Sequence, residues 1–259
     1  MFLVHRHQCG FALHTGRFRT SFTGMQGLTP QQYSAQQVQY QRHPVLASAA
    51  LLWASFLSHS TQLGVYEQQY LKRTQKLLVD ALNITQYCRQ SQSQSQSILG
   101  QGGLSPSMTP SPVTSVSPAT VAVDAIQASV LLARYFFAIG RLHEASYHAS
   151  AAADLAVQVG LHQISSSYAL AISQEQRWVN FPSINPVSSS ELHLAPPQDS
   201  IELGERIGVF WQVYILDRLL SVALRRPPCI VDDDCVETRI DTPWPDDIEE
   251  YENVSLSSH

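Results

Sequence analysis

Residues 199–228 read DSIELGERIGVFWQVYILDRLLSVALRRPP, and this stretch decides the fold. Asp199, three residues before Glu202, is a pattern that starts helices. Beyond it the apolar residues recur at three- and four-residue spacing on two faces. Ile207, Phe210, Trp211 and Tyr214 form one stripe; Val213, Leu216, Leu220 and Leu224 form the other. The spacing predicts a helix over 201–224 that is apolar nearly all round, and such a helix belongs in the centre of a bundle. Arg226, Pro227 and Pro228 end it, because proline disfavours helix in the residue before it and cannot continue one. Asp217 and Arg218 are the polar residues inside this run that most need a partner. A catalytic pair is conceivable, but ionic anchors bonded to neighbouring helix ends or loops fit better, since a buried charge left unpaired costs several kcal/mol.

Working outward, the same periodicity predicts four more helices. After Pro44 comes 45–57, then 65–82, where Tyr66, Tyr70, Leu71, Leu77, Leu78, Ala81 and Leu82 alternate with a wet face bearing Lys72, Arg73 and Lys76. Residues 121–139 carry Ile126, Val130, Ala133 and Phe137 on one face, and Gly140 is placed to close them in a left-handed turn. Residues 141–159 are Ala-rich and stop at Gly160, so these two helices should form a close antiparallel hairpin. No alternating strand pattern stands out. The fold class expected is all-α, a multi-helix bundle.

A long insert interrupts it. No residue between Arg89 and Asp124 carries a formal charge, Gln and Ser alternate over 90–97, and Pro106, Pro110, Pro112 and Pro118 follow among Ser and Thr. Such composition buries too little apolar area to offset its ordering entropy, so residues 89–120 read as a low-complexity, flexible insert. The organisation expected is an N-terminal helical part (1–88), this insert, a core helical part with the 199–228 helix (121–231), and an acidic exit segment (232–259).

The chain has 259 residues, net charge −5 and 14% charged residues, against the roughly 25% common in soluble domains. Residues 232–252 hold ten acidic side chains and one basic, leaving 11 acids and 15 bases elsewhere. Neither part is the strongly basic surface that binds nucleic acid through counterion release, so this chain alone should be a poor DNA binder. Cys9, Cys88, Cys229 and Cys235 form no CxxC pair, which points to a reducing, intracellular compartment rather than a disulfide framework. The most apolar stretch, 45–57, is short of the ~20 residues that cross a bilayer, and the first residues do not make a secretory signal.

Catalytic and metal patterns are sparse. His143-Glu144 and His148 suggest a zinc-protease helix, but the histidines are five apart, about 140° around the helix, where one face requires i and i+4. They read as surface histidines. The run 232–234, three aspartates, lacks the glycine and distal glutamate of a calcium loop and reads as loop solvation. No nucleophile elbow, phosphate-cradling glycine loop or dinucleotide fingerprint occurs, so nothing here supports an enzyme.

The residues Glu205, Arg206, Phe210, Trp211, Tyr214, Leu216, Asp217, Arg218, Ser221, Leu224, Arg226 and Pro227 resemble the signature helix of the fungal-specific transcription factor domain. This is the middle homology, or xylanolytic-activator regulatory, region of fungal zinc-cluster regulators. One departure is plain: the family's usual glycine before Arg-Pro is Arg225 here. Tyr135, Gly140-Arg141, Glu144-Ala145, Leu155-Ala156 and Gly160-Leu161-His162 are similar to the family's helix pair. His7 to His14 with Arg17-Phe18, and Thr242 to Pro245 with Tyr251, are similar to its opening and exit segments.

The resemblance implies an all-α, non-catalytic regulatory domain of the nucleus, governing transcription through intramolecular or partner contacts. Co-regulators or a second copy are the partners implied, and a membrane is not. Family members bind zinc and DNA through an N-terminal six-cysteine cluster, and these residues hold no such cluster. The expectation is therefore a fragment, a truncated product or a protein that has lost DNA binding, with no cofactor in this chain. Its motif residues Glu205, Arg206, Phe210, Trp211, Tyr214, Asp217, Arg218, Ser221, Arg226 and Pro227 are expected to be structural, and Trp211→Ala to cost roughly 3–5 kcal/mol. An alternative is a helical-hairpin adaptor, because Tyr135, Gly140, Glu144-Ala145 and Ala152 also look like one tetratricopeptide unit. Shifting by about 34 residues from Gly140 reaches Gln174 in an unrelated polar run, so that repeat does not recur.

Overall fold

The structure, a computed structural model, describes residues 2–23, 41–58, 61–97, 117–166, 194–233, 235–236 and 238–253. Among them every regular element is helical. A short 3-10 turn, Phe2–His5, leads into α1 (Arg6–Cys9) and α2 (Thr15–Thr23). Then come α3 (Pro44–Phe56), α4 (Thr61–Gly64), α5 (Glu67–Ser97), α6 (Pro118–Ala138), α7 (Leu142–Gln158) and α8 (Ser200–Leu224). A last 3-10 turn spans Glu250–Asn253.

The central helix is α6, not α8. It packs on α3, α5, α7 and α8, and from Val121 to Ala133 every residue is buried. Ala122, Ala125, Ala128 and Ala133 keep its surface small enough for four neighbours to approach. In α8 both predicted stripes face inward, apart from the half-buried Tyr214 and Leu224. A third face, Ile215, Leu219 and Val222, is left exposed. Periodicity shows that a helix is apolar all round; only the packing of its neighbours shows which such helix they enclose. Both α6 and α8 are long and apolar enough to cross a membrane by length and composition, but α6 satisfies its apolar surface inside the bundle.

Polar bonds fix how the layers meet. The Trp53 indole N–H donates to the Leu131 carbonyl (3.0 Å), tying α3 to α6, and Thr74 donates to Ser48 (2.8 Å), tying α5 to α3. The Tyr135 hydroxyl donates to Glu67 (2.5 Å) across α6 and α5. On α7, Ala145, Ala149, Ala152, Ala153 and Ala156 are all buried and let the α6–α7 hairpin close tightly. That hairpin is flanked by α3, α5 and α8 rather than by a second copy of itself.

Among the described residues, the left-handed residues that close helices are glycines, with one exception. Gly140 has φ +78°, and the Arg141 and Gly140 N–H groups donate to Phe136 and Phe137 carbonyls (2.8 and 3.1 Å). This is a Schellman closure, which wants a left-handed residue at its penultimate position. Helix α8 ends in the same way: Arg226 N–H donates to Ser221 O (3.0 Å), Arg225 N–H to Val222 O (3.3 Å), and Arg225 has φ +51°. The turn is therefore the one a glycine would make, held by a residue whose Cβ disfavours it. Arg225→Gly is expected to stabilise the domain by about 1 kcal/mol, or ~2–4 °C in thermal unfolding. A lowered midpoint would contradict that reading.

Two further sequence expectations change. Residues 89–97, read as the start of the insert, continue α5, and residues 118–120 open α6; residues 98–116 lie outside those described. His148, read as a surface histidine, is buried and stacked on Phe136 (centroids 5.4 Å apart, planes 3°), whereas His143 is exposed. Burial pushes the His148 imidazole down to about 4, so it stays neutral at physiological pH.

Candidate functional site

Helix α8 carries two clusters of bonded polar groups, one at each end. At the C-terminal end the chain leaves through the Arg225 turn and doubles back. Asp217, 1% exposed, accepts the backbone N–H groups of Cys229 and Ile230 (both 3.0 Å). Arg218 donates to the Ile230 carbonyl (2.9 Å), its guanidinium lying over the Tyr214 ring at 4.5 Å. The two side chains therefore clamp both edges of one loop peptide against the helix. Arg226 reaches Ser150 on α7 (3.3 Å), Ser221 is buried, and Pro227 is exposed. Asp217→Ala should cost about 2–3 kcal/mol, because two loop N–H groups, that of Ile230 buried and that of Cys229 partly so, lose their acceptor. Thermal unfolding checks this; an unchanged midpoint with a lost partner would instead mark Asp217 as a binding residue.

At the N-terminal end, Asp199 caps α8 by accepting the Glu202 N–H (2.8 Å), and Glu202 accepts the Gln198 N–H in return (2.8 Å). Arg17 from α2 donates to Asp199 (2.7 Å). Arg206 donates to Glu202 (2.6 Å) and to the Ala195 carbonyl (2.8 Å). One turn deeper, Glu205 accepts the His14 N–H (3.0 Å) and is paired with Arg42. Arg42 also pairs with Asp124 on α6 (3.1 Å), whose other oxygen accepts the His43 N–H (2.7 Å). Arg42 thus bridges α6 and α8 from the start of α3.

The electrostatics follow from burial. Asp124 is fully buried, which pushes its carboxyl up to about 6 even though Arg42 and the His43 N–H pull it down. Burial disfavours the Arg42 charge, but Glu205 and Asp124 outweigh that and raise its affinity for the proton.

Sequence reasoning placed Glu205 and Arg206 in the signature motif and Arg17 in the family's opening segment, and missed Arg42 and Asp124. The available signal was Asp124, the one acid in a mostly apolar helix. Its partners lie 82 and 81 positions away in the chain. The two motif ends, Glu205–Arg206 and Asp217–Arg218, are not brought together.

A cavity of about 40 Å³ sits beside this network, lined by Arg17, Arg42, Asp199, Glu202, Glu205 and Arg206 among others. That is room for a water or two, far below the 300–1,000 Å³ typical of small-molecule sites. Its charged groups are engaged with one another, and none is placed as a nucleophile beside a base. Cys9 is buried, Cys229 and Cys235 are exposed, and among the described residues no three His, Cys, Asp or Glu side chains gather as metal ligands.

The aromatic motif residues divide between two surroundings. Phe210 is fully buried in the bundle. Trp211 faces the exit segment: its indole N–H donates to the Pro243 carbonyl (2.6 Å), and its ring stacks on Trp244 (4.0 Å, 13°). The family model for the fungal specific transcription factor domain matches residues 1–259, the whole chain. The chain belongs to this family. No curated protein and no solved structure matches it. The transcription factor domain is a regulatory domain of fungal transcription factors, and its family is not one of enzymes. Within this domain the signature helix engages Glu202, Glu205, Arg206, Asp217, Arg218 and Arg226 with its own cap and with neighbouring loops and helices of the same chain.

Proposed function

We propose that this chain is the regulatory, or middle homology, domain of a fungal zinc-cluster transcription factor, working in the nucleus without catalysis. It controls transcription through intramolecular contacts or contacts with co-regulators or a second copy. DNA and zinc are bound by a separate six-cysteine cluster that these 259 residues do not include. The observation that carries the reading is the family match over the whole chain. It is supported by a polar network whose side chains are spent on the protein itself and by a cavity too small for a substrate. In a mobility-shift titration at physiological salt, the isolated chain should give no sequence-selective band. Selective binding that persists as salt is raised would overturn this assignment of roles, because non-specific binding is the part that salt removes.

A further inference from the structure

The acidic exit segment is not a free tail. Residues 241–243 are fastened by three hydrogen bonds: Asp241 N–H to the His162 carbonyl (3.0 Å), the Thr242 hydroxyl to the Leu161 carbonyl (2.5 Å), and the Trp211 indole N–H to the Pro243 carbonyl (2.6 Å). Beyond them the attachment changes character. Residues 244–247 and 250 are exposed, and the segment is held mainly by side chains. Trp244 stacks on Trp211 while remaining 74% exposed. Glu249 pairs with Arg6 (2.9 Å), and the His14 ring, whose Nδ1 accepts the Arg17 N–H, donates from Nε2 to Glu252 (2.6 Å). Tyr251 lies in a notch made by Gly204, where an added Cβ would come within 2.6 Å of its ring, and the Ser200 hydroxyl donates to its carbonyl (2.7 Å).

These partners form one surface, running from Trp211 to Gly204 along α8 and on to Arg6 and His14. It offers an aromatic platform, a notch only a glycine permits, the Arg6 cation and the His14 ring N–H, and it is filled by an acidic segment with aromatic rings seven residues apart. We propose that this groove is a peptide-docking site, occupied in cis by residues 244–252. A partner protein presenting an acidic segment with similarly spaced aromatic residues displaces them. The 241–243 anchor keeps the strap near the groove at an effective concentration that short linkers place in the millimolar range, so weak contacts suffice to close it. A partner binds when it outcompetes the strap or when the strap is loosened. The physiological meaning rests on the regulatory reading above. The test reads peptide uptake without transcription, so failure of either is distinguishable from failure of the other.

The full chain is compared with its Glu249→Gln/Tyr251→Ala/Glu252→Gln variant, using a fluorescein-labelled peptide of residues 241–253 and anisotropy. Hydrogen exchange of 244–252 reports release of the strap in the same samples. The variant should exchange fast there and bind the peptide at least about tenfold more tightly than the unaltered chain, with binding weakened by salt. Adding Arg6→Ala/His14→Ala, which leaves α8 intact, should abolish uptake, as should Gly204→Leu. Equal uptake by both chains, a strap that stays protected in the variant, or release without uptake would each overturn the proposal. So would dimerisation of the variant in sedimentation without peptide uptake, which would assign the groove to a second copy.

Discussion

Replacing Arg42 by methionine should destabilise the domain by about 3–5 kcal/mol, the range for breaking a buried ion pair by removing one partner. Methionine keeps much of the volume and removes the charge, leaving the Asp124 and Glu205 side chains, 0% and 2% exposed, facing each other without a cation. The pH dependence has a definite sign. The Asp124 carboxyl titrates at about 6 when folded, against about 3.8 unfolded. Between those values the folded chain holds a proton that the unfolded chain has released. Its contribution to stability is therefore present at low pH and lost as pH rises through 6. Without Arg42 the folded value climbs further. The variant should then recover part of its loss when urea unfolding is repeated at pH 5 instead of pH 7. A deficit unchanged by pH would mean that the carboxylates are not what the guanidinium compensates.

Phe210→Ala is the second large effect, again about 3–5 kcal/mol, the cost of emptying a fully buried aromatic site. Its neighbour is expected to behave differently. Trp211 is also mostly buried, but much of its surroundings is the exit segment, bonded through Pro243 and stacked through Trp244. Trp211→Ala should fall near the low end of the range, about 3 kcal/mol, because the segment can move into or away from the space. Hydrogen exchange separates the two: residues 242–253 should lose protection in Trp211→Ala and keep it in Phe210→Ala. The reverse pattern would place Trp211 in the bundle core and Phe210 on the strap.

Most helices were legible from period and punctuation. The predicted 45–57, 121–139, 141–159 and 201–224 correspond to Pro44–Phe56, Pro118–Ala138, Leu142–Gln158 and Ser200–Leu224. Asp199, Gly140 and Gly160 act at the positions their chemistry suggested. The end of α5 was misplaced because the Gln-Ser run was judged by its lack of apolar residues. Glutamine is a good helix former, and extending a helix already nucleated at 67–89 costs far less than starting one. His148 was misplaced because metal-ligand spacing was weighed and its position beside Phe136 across the hairpin was not. The Arg42–Asp124–Glu205 network was out of reach for a different reason. It joins three helices through residues distant in the chain, and a local pattern carries no record of which charges meet. Asp217 was flagged because it is an acid in an apolar helix, yet so is Asp124, and weighing both alike would have pointed to the second site.

The central claim is that this domain acts on transcription through contacts rather than through DNA binding or catalysis. The most direct measurement fuses the whole chain to an unrelated DNA-binding domain and compares reporter output with that of the DNA-binding domain alone, in the nucleus of a fungal cell. A several-fold change in output, in either direction, that disappears in the Phe210→Ala variant is the predicted result. Output indistinguishable from the DNA-binding domain alone, with the fusion shown to be folded and nuclear, would contradict the account.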